Sequence, residues 1–147
     1  MKVLRISAQD TYPIRSKILF GGDNPNESCQ FKGDDEDQTF HLGAFIDGQL
    51  VSIASMYFEK HPEIEEPYQY QLQGMATLAE HQYKGLSSAL LQVAFPIVKQ
   101  NLCHLVWCNA REEAIGFYKK VGFEGIGGLF DIPPVGQHLL MVKYLDK

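Results

Sequence analysis

One short segment combines the residue types that hold an anion at the start of a helix. It reads Gln82-Tyr83-Lys84-Gly85-Leu86-Ser87 and lies between an extended stretch and an apolar helical pattern. Small residues there let the backbone approach a ligand, and the N–H groups of the helix's first turn point outward at the positive end of its dipole. Such a junction suits a pyrophosphate. It is not a nucleotide P-loop, since no Gly-Lys-Ser/Thr ends it, and it lacks the three-glycine dinucleotide motif.

A second segment, residues 109–123, follows a short apolar stretch and carries an asparagine and a tyrosine. Its helical pattern places Phe117 on the apolar stripe and Tyr118 about 100° away from it. We therefore expect Tyr118 at the edge of the stripe, with its hydroxyl facing a cleft. Cys108 has no His or Asp support around it in the sequence, so we interpret it as a buried strand residue and not as a nucleophile.

Together the two segments resemble the GNAT superfamily of N-acetyltransferases. The cofactor motif of that family is Gln/Arg-x-x-Gly-x-Gly/Ala at a strand–helix junction, and residues 82–87 match it except at the last position, where Ser87 stands. Serine is also small, so we expect cofactor docking to survive. Residues 109–123 are similar to the family's other signature, an asparagine followed by Ala…Phe-Tyr…Gly-Phe. The resemblance runs from about Gln71 to the C-terminus.

The resemblance implies a role for each matching position. Backbone groups of residues 75–77 would pair with the pantetheine arm of acetyl-CoA as if it were a further strand. Amides of residues 83–88 would hold the pyrophosphate, and Asn109 would contact the cofactor. Tyr118 would protonate the departing CoA thiolate. The implied CoA-binding set is Met75, Ala76, Thr77, Gln82, Tyr83, Lys84, Gly85, Leu86, Ser87, Ser88, Asn109 and Phe117.

The chemistry of acyl transfer is consistent with these roles. Aminolysis of a thioester requires a neutral amine, a hydrogen-bond donor for the developing oxyanion and an acid for the sulfur. A backbone N–H near Met75 or Ala76 is a candidate donor. Because the ordinary pKa is about 8.5 for a thiol and about 10 for tyrosine, we expect Tyr118 to donate its proton only modestly uphill.

The general base is left open by the sequence. Glu65 and Glu66 lie just before the central strand, where a carboxylate could act directly or through water, although loop charges are the commoner role. His138 follows the turn between the last two strands, a region that overhangs the acceptor cleft in the family it resembles. An imidazole there could be a base or an amine-side contact, with a surface or hairpin histidine as the alternative. Arg15, in a predicted helix, could bind an acidic acceptor group.

Local patterns predict the elements that position these residues. In chain order they are a strand at 2–6, a helix over roughly 10–20, a turn at 21–26, hairpin strands at 40–46 and 50–57, a loop at 61–67, a strand at 68–78, a helix from about 85, a strand at 104–108, a second helix, and strands at about 124–131 and 138–145. Gly74 marks a bulge or a close approach to the strand at 68–78.

The two later helices have predicted apolar faces. The first has the stripe Leu86, Ala89, Leu90, Val93, Ala94 and Ile97, which Pro96 must kink or end. The second has Ala110, Ala114, Phe117 and Val121 on one face and ends near Gly122. This order of elements predicts a mixed sheet with helices packed on its faces. The resemblance implies a GNAT-like α+β fold, with a mostly antiparallel sheet of about six to seven strands flanked by helices on both faces.

Composition and charge narrow the class of protein. The 147 residues suit a single domain, predicted over 1–147. A formal net charge of −5, with Lys and Arg scattered singly, argues against a nucleic-acid partner. The dense acidic run at 34–37 is interpreted as a solvated loop, with an acidic lip for a cationic amine as the alternative.

Three cysteines without paired short spacings favour neither a disulfide framework nor a metal site. We see no signal peptide and no apolar run of membrane-spanning length, so we expect a cytoplasmic protein with no membrane partner.

The leading hypothesis is an N-acetyltransferase that moves an acetyl group from acetyl-CoA to a primary amine by direct attack in a ternary complex. The amine belongs to a small molecule or a peptide. One alternative is a non-catalytic, CoA-binding regulatory module. Another is an acyltransferase for a longer acyl-CoA, which would need a wider channel beside Met75 and Phe117. A homodimer is suggested by analogy with the family, although we identify no exposed apolar patch in the sequence.

Overall fold

The computed structural model describes residues 1–21 and 29–145. Its elements are β1 (Lys2–Ile6), α1 (Ala8–Ile14), a π-helical turn (Arg15–Leu19), β2 (Phe40–Ile46), β3 (Gln49–Phe58), β4 (Tyr70–Thr77), a 3₁₀ turn (Ala79–His81), α2 (Leu86–Gln100), β5 (Leu105–Arg111), a 3₁₀ turn (Glu112–Ala114), α3 (Ile115–Lys120), β6 (Glu124–Ile132) and β7 (Gly136–Tyr144). The predicted turn at 21–26 lies, beyond Gly21, outside the described residues. Within the described ranges no helix is both long and apolar enough to cross a membrane.

The strands confirm the predicted mixed sheet. In the described part of the chain, seven strands form one sheet in the order β1-β2-β3-β4-β5-β7-β6. β4 and β5 pair in parallel, whereas β1 with β2, β2 with β3, β5 with β7 and β6 with β7 are antiparallel. The registered part of the parallel pair is short and covers Tyr70↔Val106 and Gln71↔Trp107.

The first of two compact units comprises Met1–Phe58 and Leu72–Ile97. Asp47 and Gly48 both have positive φ, 50° and 79°, which is the backbone of the tight hairpin turn that this dipeptide predicts. Both β2 and β3 are buried along most of their length, as expected of strands covered on both faces. α1 packs against these two strands.

α2 has a different buried face from the predicted stripe. Its buried residues are Leu86, Leu90, Leu91, Ala94 and Val98. Val93 is exposed, and Ala89 and Ile97 are only half-buried, so the prediction was wrong at these three positions. Pro96 is exposed and does not end the helix, which continues to Gln100. A proline removes one backbone hydrogen bond, and Ala94 and Val98 on either side of it are both buried.

The second unit comprises Glu59–Gln71 and Val98–Lys147. β5 and β7 pair from Leu105↔Tyr144 to Arg111↔His138. β5 is therefore longer than predicted, because residues 109–111 also pair with β7. An apolar cluster fills this unit and is formed by Ile64, Leu105, Trp107, Leu140 and Val142.

α3 begins later than the sequence pattern predicts. Ala110 belongs to β5, a 3₁₀ turn follows, and α3 covers only Ile115–Lys120. The predicted helical phase, counted from residue 110, therefore does not apply. Phe117 is half-buried, and Tyr118 is the buried residue of this helix, with 8% of its surface exposed. The sequence pattern predicted the reverse, with Phe117 on the apolar stripe and Tyr118 at its edge. Gly122 follows the helix end as predicted, with φ at 101°.

Candidate active site

The predicted anion-binding junction lies at the start of α2, in the first unit. Residues 82–85 are exposed, and Tyr83 is fully exposed with φ at 63°. Gly85 has φ at 79°, and no heavy atom lies within 4 Å of the position that a Cβ would take. The loop backbone is therefore open where a 15-residue helix begins, at the positive end of its dipole.

Side chains of the same motif tie this loop to the end of β4. The Gln82 Nε2 donates to the Thr77 carbonyl at 3.1 Å. The Thr77 hydroxyl lies 2.7 Å from the Ser52 Oγ and 3.5 Å from the Ser87 Oγ. Ser87, which departs from the motif, thus contributes a hydroxyl to this group instead of leaving the position bare.

β4 is distorted just before residues 75–77. Gly74 has φ at 69°, in the left-handed region that side chains disfavour. A Cβ there would lie 2.9 Å from the Cε2 of Phe31, which is closer than real Cβ contacts allow. The predicted close approach is confirmed, and the group that approaches is a ring of the same chain.

Phe31 is stacked on a buried ion pair. The Arg15 guanidinium carbon lies 4.0 Å from the centre of the Phe31 ring. Its Nη1 and Nη2 donate to the two carboxylate oxygens of Asp34 at 2.8 and 3.1 Å. Arg15 is fully buried and Asp34 almost so. The interpretation of residues 34–37 as a solvated loop is therefore wrong for Asp34, and Arg15 is bound to internal partners instead of an acceptor.

Three strand residues complete what we call the Arg15 cluster, formed by Arg15, Phe31, Asp34, His41, Ser55 and Tyr57. The Arg15 Nη2 donates to the Ser55 Oγ at 2.9 Å and to the Tyr57 hydroxyl at 3.1 Å. The Tyr57 hydroxyl donates to the Asp34 carboxylate at 2.6 Å. The His41 Nε2 lies 3.0 Å from the Asp34 carbonyl, which can only accept, so neutral His41 has its proton on Nε2 and accepts from Ser55 at Nδ1, 2.7 Å away.

Charges in the Arg15 cluster follow from burial and hydrogen bonding. Burial by itself raises the pKa of Asp34, but the hydrogen bonds from Arg15 and Tyr57 outweigh it, and the pKa lies below its ordinary value. Burial lowers the pKa of His41 and raises that of Tyr57.

No sequence signal links the residues of the Arg15 cluster, since Arg15 and Asp34 are 19 positions apart and belong to no shared motif.

In the second unit, Tyr118 packs its ring against Phe117 and Phe123, with centroids 5.2 and 5.3 Å away. Burial raises the pKa of the Tyr118 phenol strongly, the neighbouring Cys108 raises it further, and Arg111 lowers it. Proton donation is therefore more uphill than the ordinary pKa values predict. Burial also raises the pKa of Cys108 to about 12, which agrees with a strand residue and not with a thiolate nucleophile.

Asn109 and His138 lie on one face of the paired strands β5 and β7. Arg111 is opposite His138 and Asn109 is opposite Leu140, and residues two apart along a strand share a face. The Asn109 Oδ1 is buried without a hydrogen-bond partner among the described residues. His138 is only 5% exposed, so it is not a surface histidine. It lies in the β6–β7 hairpin, opposite Phe130, as the alternative of a hairpin histidine has it.

Glu65 and Glu66 are exposed on the loop before β4. This loop is held by the buried side chain of Gln69, whose Nε2 donates to the carbonyls of Ile64 and Glu66 at 2.9 and 2.6 Å. The Gln69 Oε1 accepts from the backbone N–H of His61 at 2.8 Å. The two carboxylates therefore belong to an ordered loop. In residues 1–21 and 29–145, no group of three or more His, Cys, Asp or Glu is placed to hold a metal ion.

Comparison with known proteins identifies the family. Residues 6–123 match the model of the acetyltransferase (GNAT) family. The chain belongs to the GNAT acetyltransferase family. A Bacillus subtilis (strain 168) protein described as an uncharacterized N-acetyltransferase, YitI, is 40% identical over 148 residues, which cover 99% of this chain and 97% of that protein.

Solved structures of GNAT proteins share the fold of this chain. An aminoglycoside 6'-N-acetyltransferase complexed with coenzyme A has a TM-score of 0.77 and 11% identity, covering 100% of this chain and 98% of its own. An acyl-CoA N-acyltransferase from Pseudomonas aeruginosa has a TM-score of 0.75 and 16% identity, covering 97% of this chain and 98% of its own. At these identities the similarity shows the fold alone.

In this GNAT acetyltransferase, the structure brings part of the predicted site together within each unit. Hydrogen bonds join Thr77, Gln82 and Ser87 in the first unit. The second unit places Asn109 and His138 on one face. The sequence analysis did not find the Arg15 cluster, because its members are recognisable only by their contacts.

Proposed function

We propose that this acetyltransferase transfers the acetyl group of acetyl-CoA directly to a primary amine of a small molecule or a peptide, without a covalent enzyme intermediate. The observation that carries the proposal is the open backbone of residues 82–85 at the start of α2. Tyr83 and Gly85 hold left-handed conformations there, and a Cβ at Gly85 would meet nothing. Such a loop admits a large anionic group close to the helix N-terminus.

The residues present fit the parts of CoA. Amides of residues 83–88 would hold the pyrophosphate, and the β4 backbone at Met75, Ala76 and Thr77 would pair with the pantetheine arm. The buried Oδ1 of Asn109 lacks a donor among the described residues, and an unmet buried acceptor costs about 1–3 kcal/mol. An amide N–H of the pantetheine arm would satisfy it. When bound, acetyl-CoA supplies an acyl group activated as a thioester.

The chain's own groups would manage the protons and charge of the transfer. The raised pKa of Tyr118 keeps its phenol protonated, so a proton is available for the departing sulfur. The same raised pKa makes transfer of that proton to the thiolate more uphill in free energy. A backbone N–H near Met75 or Ala76 would hydrogen-bond the developing oxyanion.

Several properties of the proposed enzyme stay predictions. These are the single domain over 1–147, the cytoplasmic location, the lack of nucleic-acid and membrane partners, and the homodimer suggested by the family. Exposed apolar side chains that a dimer would have reason to cover include Ile126, Leu129 and Phe130 on β6.

The test is a thermal melt with and without acetyl-CoA, followed by an amine-library screen for thiol release. A ligand at about 100 times its Kd adds about 2.7 kcal/mol of stability. Acetyl-pantetheine, which lacks the pyrophosphate, is the control and should give a smaller shift. Stabilisation together with thiol release supports the transferase. Stabilisation without release on any amine supports the CoA-binding module, and no stabilisation overturns the proposal. Propionyl- and succinyl-CoA test the longer acyl chain.

A further inference from the structure

The imidazole of His138 is held in one orientation and one neutral tautomer. Its Nδ1 lies 2.8 Å from the carbonyl oxygen of Gly136. A carbonyl can only accept a hydrogen bond, so Nδ1 must carry the proton. The ring also lies 6.1 Å from the ring of Phe130, its partner in the β6–β7 register. Neutral His138 therefore has its lone pair on Nε2.

That lone pair has no partner in the described part of the chain, where His138 makes its hydrogen bond through Nδ1 alone. The residue is nevertheless 95% withdrawn from water, since only 5% of its surface is exposed. The Nε2 atom does not belong to the buried side-chain atoms that lack a partner, so it stays accessible at the edge of an otherwise buried, oriented ring. A lone pair held in this way is available to a ligand that donates a hydrogen bond.

A second acceptor atom without a partner lies nearby on the same face. Asn109 is opposite Leu140, so His138 is its diagonal neighbour, at about 7–8 Å between the two positions. The Asn109 Oδ1 is buried and unmet by any described group. The oriented Nε2 of His138 and the buried, unmet Oδ1 of Asn109 lie on adjacent strands and fit a ligand that presents N–H groups. Acetyl-CoA and an amine both present them.

We infer that His138 is the general base of the acetyl transfer and takes the amine's proton at Nε2. This inference rests on the proposed function. In the step, the amine nitrogen bonds the acyl carbon and the carbon–sulfur bond breaks. The proton from nitrogen goes to the His138 Nε2, and the departing thiolate takes a proton from Tyr118. His138 then releases its proton and Tyr118 regains one, so the net products are an N-acetyl amide and CoA thiol.

The first test needs no activity. Nitrogen-15 NMR of the imidazoles in the unliganded wild-type protein, assigned by comparison with His138→Gln, reports which ring nitrogen is protonated. The expected result for neutral His138 is a proton on Nδ1 and a lone pair on Nε2. A proton on Nε2 would overturn the assignment, because that atom would then have no lone pair to offer.

The second test is kinetic and uses an amine for which the wild-type protein releases thiol. His138→Gln should lower kcat by about 10²–10⁴-fold, the usual contribution of a general base, with the KM for acetyl-CoA unchanged. Imidazole added to His138→Ala should restore part of the rate. His104→Gln is the comparison variant, since the His104 Nδ1 is also buried without a partner among the described residues but lies beyond the other end of the β5–β7 ladder. We expect this variant to keep the wild-type kcat.

The outcomes separate the two proposals. If wild type neither binds acetyl-CoA nor releases thiol, the proposed function falls, and a base role for His138 falls with it. If wild type is active but His138→Gln keeps kcat within about two-fold, only the inference about His138 is overturned. A raised KM for the amine with unchanged kcat would likewise overturn it, because it would make His138 a binding contact.

Discussion

At the scale of single residues, the proposed reaction depends on protons held at particular atoms. Burial keeps Tyr118 protonated, and a hydrogen bond to the Gly136 carbonyl keeps the proton of neutral His138 on Nδ1. Tyr118 therefore holds a proton and His138 holds a lone pair at a defined atom. Each is set by its surroundings and not by its residue type.

Replacing Tyr118 by Phe removes the phenolic proton while keeping the ring. We expect kcat to fall by about 10²–10⁴-fold, as when a general acid is lost, with the thermal shift on adding acetyl-CoA unchanged. Steady-state kinetics and a melt measure the two effects. Tyr144→Phe is the matched control, because Tyr144 is exposed at the end of β7. Full activity of Tyr118→Phe would show that the sulfur takes its proton elsewhere.

Gly85→Ala tests the backbone of the anion-binding loop. The change meets no neighbouring atom but forces a side chain onto a backbone with φ at 79°, which costs about 1–2 kcal/mol. We expect the loop to shift and the stabilisation by acetyl-CoA to fall. Gly116→Ala is the control. It also meets open space but lies inside α3, so we expect it to add about 0.5–1 kcal/mol to the free energy of unfolding. Undiminished CoA binding by Gly85→Ala would contradict a role for this loop.

At the scale of elements, the Arg15 cluster connects several pieces of the first unit. Arg15 begins the π-helical turn, His41 is on β2, and Ser55 and Tyr57 are on β3. Phe31, stacked on Arg15, reaches Gly74 of β4. The cluster thus supports the distorted part of β4 that precedes the residues proposed to pair with pantetheine.

Asp34→Ala should be strongly destabilising. It leaves the fully buried Arg15 without a counter-charge, and breaking a buried ion pair from one side costs about 3–5 kcal/mol. Urea unfolding measures the change. Asp35→Ala is the matched control, because this neighbour is exposed and we expect an effect within about 0.5 kcal/mol. Equal effects of the two substitutions would show that the buried pair does not matter to stability.

At the scale of the whole molecule, the titration of buried groups predicts how stability depends on pH. The folded-state pKa of His41 is lowered, so the unfolded chain binds the proton more readily once the pH falls below about 6.5, and stability declines from there. The pKa of Asp34 is also lowered. The contribution of ionised Asp34 to the free energy of unfolding is present above about pH 4. It is lost as the pH falls through the folded-state pKa of this carboxyl.

We therefore expect the free energy of unfolding to decrease on acidification in two steps, with a slope of at most about 1.4 kcal/mol per pH unit for each group. Urea melts between pH 8 and pH 3 measure the profile. His41→Gln should remove the first step and leave the second. A profile that stays flat from neutral pH to pH 5 would contradict the role assigned to His41.

Much of the fold was predictable because local patterns specify local structure. The bounds of β1 and β2 were predicted as observed, and the Asp47-Gly48 turn has the positive φ angles that its residues favour. The glycine loop before α2 was also predictable, because backbone conformation at a strand–helix junction depends mainly on nearby residues. α3 was misplaced, because a helix of six residues is too short for its periodicity to set its phase.

By itself, the sequence determined the family, the mixed sheet and the loop proposed to hold CoA, since these rest on motifs of adjacent residues. The tertiary structure alone decided which polar groups are buried and which groups are their hydrogen-bond or ion-pair partners. Arg15 and Asp34 meet across 19 positions, and the lone pair of His138 is oriented by its contact with a backbone carbonyl. Charge and proton positions depend on desolvation and on hydrogen-bond geometry, and both arise only when distant segments pack together.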